Sequence, residues 1–278
     1  MARGIKEARS LLFVPGFDER KLAKALDGDA DGIIADLEDA VAPQSKDCAR
    51  VIVDRAFAAS GSEQRLLVRV NGADTPYFEG DLALVRRLNV AAIVLPKASR
   101  SSVAKVGEGA PPIIALIETA LGLQDSNAIA LSPGVTALAL GAIDLGVDLG
   151  LIARADGLEL LFARSKLVMD SAAAGLRPPF DSVHANLRDT EGLQAEAVLG
   201  RSLGMGGKFC IHPAQVATVN LAFSPKREEV DEAKRVIAAY ETAVNAGIGA
   251  VALEGQMIDK AVVARARRLL AMAGQDLG

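Results

Sequence analysis

Tryptophan is absent from the 278 residues and aromatics make up only 4%, so any core must be built from Ala, Val, Leu and Ile. Cysteine is nearly absent too: Cys48 and Cys210, far apart in the chain, make no disulfide framework. There is no surplus of basic residues. Lys and Arg number 31 against 35 Asp and Glu, a formal charge of -4, which excludes a nucleic-acid binder relying on a broad basic field. No apolar run approaches the roughly 18 residues of a membrane span, and the first residues lack the apolar stretch of a signal peptide. Repeats and low-complexity segments are missing as well. What remains is half hydrophobic and about a quarter charged, the composition of a folded core rather than a disordered chain. The expectation is a soluble, cytoplasmic protein.

Short apolar runs alternate with longer amphipathic segments. The runs are Ser10–Val14, Gly32–Ala35, Leu66–Val70, Ala91–Leu95, Ile113–Ile117, Val135–Leu140 and Lys208–Ile211. Uninterrupted apolar runs of this length mark parallel strands buried on both faces. Helices are expected at Asp18–Leu26, Ser45–Ala59, Glu79–Leu88, Gly157–Ala174 and Glu191–Leu203, with Asp18, Ser45 and Asp189 as N-caps. An eighth strand, weak in signal, is placed near Phe180–His184. The first turn, Phe13-Val14-Pro15-Gly16, lacks the G-x-G-x-x-G of a dinucleotide-binding sheet. The pattern therefore favours a closed (β/α)8 TIM barrel over residues 1–222. After the last strand comes a helix, Pro213–Ala222; residues 223–278 then form a C-terminal extension, an amphipathic segment Lys226–Ala246 leading to Val251–Ile258 and a last helix, Lys260–Ala273. This extension is read as a lid or oligomer contact within the same structural unit.

Functional side chains of such barrels sit at the C-terminal strand ends. Six runs end in ionisable groups: Asp36-Leu37-Glu38-Asp39, Arg69, Lys97, Glu118, Asp144 and His212. Glu118 and Asp144 close consecutive strands, and neighbouring strands lie about 5 Å apart. Two oxygen donors without His or Cys favour Mg2+, or Mn2+, over zinc; the plainer alternative is that each acid caps the following helix. Arg69 suits a bidentate grip on a substrate carboxylate, or a buried ion pair with Asp36 or Glu38. On an extended segment Asp36 and Glu38 share one face, toward Arg69 and Lys97, with Leu37 and Asp39 on the other. Lys97 is a candidate Schiff-base nucleophile, or an ion-pair partner of those acids. His212 is a candidate base but reads better as a packed histidine; His184 has no assigned role. Cys48 and Cys210 read as packing residues.

These segments resemble the citrate lyase beta-subunit-like enzymes of the HpcH/HpaI aldolase superfamily. The resemblance is carried by Arg9–Gly16, Asp36–Val41, Val68–Gly72, Leu95-Pro96-Lys97, Ile117–Ala120, Gly141–Leu145, Ile211-His212-Pro213 and Gly255–Asp259, in the expected order over nearly the whole chain. It implies a TIM barrel performing Mg2+-dependent, reversible carbon–carbon cleavage of malyl-, citramalyl- or citryl-type coenzyme A thioesters. It further implies that Glu118 and Asp144 hold the metal and Arg69 contacts the substrate carboxylate. One of Asp36, Glu38 and Asp39 supports that arginine, and Asp259 is supplied by a neighbouring subunit as acid/base. A homotrimer or hexamer is implied. One departure stands out: relatives often read Gly-x-Glu-Asp-Leu where this chain has Gly141-Ala142-Ile143-Asp144-Leu145. Pro15, Gly16 and Lys24 are candidate coenzyme A contacts by position near the first strand end. The alternatives are a malyl-CoA-type thioesterase, a subunit whose thioester rides on an acyl-carrier protein, a metal-dependent aldolase on free 2-keto acids, and a non-catalytic binding protein.

Overall fold

The computed structural model describes residues 5–60 and 65–274. Eight parallel strands close into a barrel in sequence order: β1 Ser10–Pro15, β2 Gly32–Asp36, β3 Leu66–Arg69, β4 Ala92–Leu95, β5 Ile113–Ile117, β6 Val135–Leu140, β7 Phe180–Asp181 and β8 Gly207–Cys210. Strand β1 pairs with both β2 and β8, which completes the ring. The weakly signalled strand is β7, only two residues long. Helices α1 Glu19–Leu26, α2 Lys46–Ser60, α3 Phe78–Leu88, α4 Arg100–Val106, α5 Ala120–Gln124, α6 Ser126–Ala130, α7 Ala142–Leu149, α8 Leu161–Ala173, α9 Thr190–Leu203 and α10 Pro213–Ala222 alternate with the strands.

The alternation of strand side chains splits the core in two. Inward residues such as Leu11, Ile34, Leu67, Ile114 and Phe209 fill the barrel, while outward residues such as Leu12, Ile33, Val68, Ile93 and Leu138 pack under the helices. Interior bulk is unevenly shared. Ala92, Ala137 and Ala139 leave room that Phe180 and Phe209 fill by stacking, their centroids 5.9 Å apart.

Asp18 and Asp189 cap α1 and α9, accepting from the amides of Lys21 and Gly192. Ser45 does not act as a cap. It ends a 3-10 turn, Pro43–Ser45, that runs directly into α2, so the helical path begins before it. The expected helix from Gly157 is likewise a 3-10 turn, Leu158–Leu160, followed by α8.

The chain divides into two compact units, Met1–Phe223 and Ser224–Gly278. In the second, α11 Arg227–Asn245 and α12 Lys260–Met272 pack through Val236, Ile237, Val263 and Leu270. Val251–Ile258 forms an antiparallel hairpin, β9 Val251–Leu253 with β10 Gln256–Ile258. Its two-residue turn, Glu254-Gly255, takes φ of 48° and 81°, the positive-φ pair that a tight hairpin requires. Among the described residues no helix is long and apolar enough to cross a membrane.

Candidate active site

Period-two alternation decides which strand ends face the barrel axis. Leu11, Ile34, Leu67, Leu116, Ala139 and Phe180 fill the interior, so the next inward positions are Phe13, Asp36, Arg69, Glu118, Gly141 and Ser182. All six line one cavity of about 370 Å3. It sits at the C-terminal end of the barrel, where eight strand ends converge.

Arg69 and Asp36 are register partners on β3 and β2. The Arg69 Nε and Nη2 groups donate to the two Asp36 carboxylate oxygens, each at 2.7 Å, a bidentate pair. Arg69 Nη1 lies 2.9 Å from Glu38 Oε2 and 3.3 Å from Asp39 Oδ2. Alternation was expected to turn Asp39 away from this face. Strand β2 stops at Asp36, however, and the chain then turns, which brings Asp39 to the same guanidinium. Burial opposes the charge on Arg69, but its hydrogen bonds to Asp36 and the charges of Asp36, Glu38 and Asp39 outweigh it and hold the group above its ordinary range. Phe13 adds a ring face, 5.0 Å from the guanidinium carbon.

The acidic turn is itself fixed from below. Lys46, buried at the start of α2, donates to the carbonyls of Leu37 and Glu38, both at 2.7 Å. A cation is unfavourable at a helix N-terminus, so its presence there was the one sequence signal of this role. Burial pushes Glu38 up to about 7, against the opposing charge of Arg69.

Glu118 follows β5 and is buried. It does not cap the next helix; Thr119 does, its hydroxyl accepting from the Gly122 amide. The Lys97 amide donates to Glu118 Oε1 at 2.7 Å. Lys97 adopts φ 45°, a left-handed conformation uncommon outside glycine, in the turn that aims this amide. Burial raises Glu118 to about 7; the Lys97 amide opposes this, and the charges of Glu38 and Asp144 add to it. Asp144 is the third residue of α7, one turn beyond the β6 end, and its carboxylate makes no hydrogen bond or ion pair among the described residues.

Both carboxylates line the same cavity. One keeps an oxygen free of protein donors and the other is wholly unpartnered, so the pair fits a hard divalent cation. Among the described residues no group of three or more His, Cys, Asp and Glu converges on one point. Two carboxylates plus water and ligand oxygens is the arrangement Mg2+ tolerates best.

The remaining candidates are placed as follows. Pro15 lines the cavity, while Gly16 donates to the Asp36 carbonyl at 2.8 Å, where a Cβ would itself come within 2.8 Å of that oxygen. Lys24 is exposed in the last turn of α1 and lines no cavity of the barrel's mouth. The Lys97 side chain is 52% exposed and its ammonium lies 3.6 Å from Glu38. Burial lowers its affinity for a proton, but Glu38, Glu118, Asp144 and Asp39 together hold it above its usual value. His212 is not packed: it is exposed and caps α10, Nδ1 accepting from the Ala214 amide at 3.2 Å. Cys48 is exposed on α2 rather than packed, whereas Cys210 is buried and its thiol is pushed up to about 12. Asp259, in the second unit, caps α12; its Oδ1 accepts from Ala261 and Val262, at 2.9 and 3.0 Å. Sequence reasoning missed Ser182, whose hydroxyl accepts the Ala142 amide, and the apolar wall of Phe13, Val183 and Phe209.

A closed parallel barrel with acids and one arginine at its mouth suits chemistry on a carboxylate-bearing substrate, and comparison with known proteins supplies the class. The chain belongs to the HpcH/HpaI aldolase/citrate lyase family, whose model matches residues 9–213; a model for carbon–carbon bond lyases of the TIM-barrel fold matches residues 163–273. It is thus an enzyme of the citrate lyase beta type. It is similar to citrate lyase subunit beta of Leuconostoc mesenteroides subsp. cremoris, 36% identical over 96% of this chain and 94% of that one. The (3S)-malyl-CoA thioesterase of Cereibacter sphaeroides is 38% identical, over 98% and 97% respectively. Among solved structures, CitE from Mycobacterium tuberculosis in complex with magnesium, acetoacetate and coenzyme A superposes with a TM-score of 0.84. It is 34% identical and covers 97% of this chain and all of its own.

Proposed function

We propose that this enzyme is a Mg2+-dependent lyase that cleaves, or forms, the C2–C3 bond of a 3-hydroxyacyl-CoA thioester carrying a carboxylate on the carbinol carbon. The observation that carries the reading is the pair Glu118 and Asp144, short of protein partners, beside an arginine anchored by three acids in one cavity. Structures of the Mycobacterium tuberculosis relative hold magnesium, and the oxygen-only donor set here suits the same ion. Glu118 and Asp144 would hold the ion. When bound, it polarises the carbinol or keto oxygen of the acid fragment.

Nε and one Nη2 N–H of Arg69 bond Asp36, and Nη1 faces Asp39 and Glu38; together these fix its plane and leave the second Nη2 N–H for a substrate carboxylate. In cleavage a base takes the carbinol proton. The electron pair of the C2–C3 bond passes into the thioester enolate, and a proton returns to that carbon, so no oxidant or reductant is needed. Asp259 of a neighbouring subunit is assigned this proton exchange. Its Oδ2 is free of the cap bonds that occupy Oδ1. Lys97 is held charged by four acids, which suits charge stabilisation and disfavours a Schiff-base nucleophile, for which a lowered affinity for the proton is needed. Pro15 lines the mouth where the thioester arm would lie, with Gly16 buried behind it against the Asp36 carbonyl; assays with free coenzyme A and with an acyl-carrier protein thioester identify the carrier of that arm.

The test is a panel of malyl-, methylmalyl-, citramalyl- and citryl-CoA with Mg2+, following keto acid and free thiol separately. The expected result is keto acid without thiol, abolished by EDTA and by Glu118→Gln. Thiol released with the hydroxy acid intact would replace the lyase by a thioesterase, the reading supported by the Cereibacter relative. Keto-acid release that persists in EDTA, with a borohydride-trapped adduct on Lys97, would overturn the metal mechanism.

A further inference from the structure

We infer that the Ser182 hydroxyl is a substrate-binding group, donating its proton to an oxygen of the acid fragment on the side of the mouth away from Arg69. The inference rests on the lyase reading and adds a residue to that site. Ser182 directly follows β7 and is only 3% exposed. Its two predecessors fix its direction. Phe180 fills the barrel interior, and Asp181 turns outward to Arg164, whose Nε donates to Oδ1 at 2.9 Å, so the next side chain points into the mouth. There its Oγ accepts the Ala142 amide at 3.0 Å. A hydroxyl that accepts one bond still has a proton to give. Among the described residues no acceptor takes that proton. A buried donor without a partner is costly, and it marks a place where a ligand or a water completes the bond.

The surroundings decide which ligand atom that is. Among the described residues lining the cavity, Ser182 is the one neutral side chain that can donate a hydrogen bond, and Arg69 is the one cation. In the closed ring β7 lies four strands from β3 in either direction, so the two donors stand on opposite sides of the mouth. Ala142, whose amide holds the Ser182 oxygen, opens the first turn of α7, and that turn carries Asp144. An acid fragment held at Glu118 and Asp144 therefore has Ser182 as a neighbour. Pro15, at the end of β1, is two strands further round, which separates the thioester arm from this hydroxyl. Leu140 and Phe209 on the flanking strands, and Val183 next in the chain, offer no hydrogen bond. A fragment oxygen turned to that side thus has one side-chain donor available, the hydroxyl of Ser182.

The experiment compares the full chain with its Ser182→Ala and Ser182→Thr variants. Calorimetry measures binding of glyoxylate, pyruvate and oxaloacetate in the presence of Mg2+, and a separate titration measures Mg2+ alone. KM and kcat are followed for cleavage of malyl-, citramalyl- and citryl-CoA. Ser182→Ala is expected to weaken the best-bound keto acid, and to raise KM for the cleaved thioester, about tenfold, with Mg2+ affinity unaltered. Ser182→Thr keeps the hydroxyl and is expected to stay closer to the parent chain. Unchanged keto-acid binding and KM in Ser182→Ala overturn the inference, while continued cleavage leaves the lyase reading intact. A fall in Mg2+ affinity as large as that in keto-acid affinity also overturns it, because the hydroxyl then acts only through the turn that carries Asp144. Absence of both keto-acid binding and cleavage in the parent chain removes the lyase reading together with the inference.

Discussion

Gly141 shows how closely the site is built at the scale of single residues. An added Cβ there would stand 2.5 Å from the Glu118 Cβ and 2.6 Å from Oε2, so the glycine is the space in which that carboxylate turns. Gly141→Ala is expected to weaken the apparent Mg2+ affinity about tenfold or more, measured by calorimetric titration; unaltered affinity would show that Glu118 does not hold the ion. Glu38 gives a second residue-scale expectation. Its folded-state value of about 7 lies above the ordinary 4.5, so between those pH values the folded chain binds more protons than the unfolded one. Stability from this group is therefore highest below about pH 4.5, falls as pH rises to about 7, and is level above that. Glu38→Gln should reduce this slope in urea denaturation between pH 5 and 7.5. Glu118 acts with the same sign, so the slope shrinks without vanishing. Asp36, Arg69 and Glu118 were readable as strand-end residues, whereas the approach of Asp39 was not, because alternation holds only as long as the strand does.

At the scale of elements, β7 is the instructive case. It pairs with β6 at one position and with β8 at two, and its signal in the sequence is faint. The reason is chemical. Asp181 of β7 and Lys208 of β8 occupy outward positions that elsewhere in the barrel are aliphatic, and both are fully buried. Arg164 Nε of α8 donates to Asp181 Oδ1 at 2.9 Å, and Lys208 Nζ lies 3.4 Å from Oδ2 and 3.0 Å from Glu196 of α9. This network does between strands and helices what apolar packing does around the other strands. Burial works to raise Asp181, but Lys208 and Arg164 outweigh it and hold it below its usual value. Its contribution is thus present above the unfolded carboxylate's range, near 3.8, and lost as pH falls below it. Asp181→Asn takes the buried Arg164 guanidinium's counter-charge away and leaves Lys208 with Glu196 alone; it is expected to destabilise the fold by about 3–5 kcal/mol. A loss under about 1 kcal/mol in denaturant titration would contradict that.

For the whole molecule, the proposal that Asp259 completes a neighbour's site has a direct test. Asp259→Ala and Glu118→Ala chains, each inactive alone, should recover part of the activity when co-assembled, because some sites then combine an intact barrel with an intact extension. No recovery would confine each site to its own chain. Val147, Ile152 and Phe162 are strongly exposed apolar side chains on the barrel unit, which supports a homo-oligomer. Light scattering at several concentrations should give a trimer or hexamer mass. The sequence by itself determined the barrel, since runs buried on both faces in β-then-α order leave few other topologies, and it marked which residues close each strand. It also carried the family resemblance that the comparisons bear out. Only the tertiary structure decided which strand-end groups meet. The turn after β2 swings Asp39 onto Arg69, the left-handed Lys97 lends Glu118 its amide rather than its ammonium, and Ile143 comes to line two cavities. Those outcomes depend on where strands stop and loops turn, which depends on contacts between residues distant in sequence rather than on local pattern.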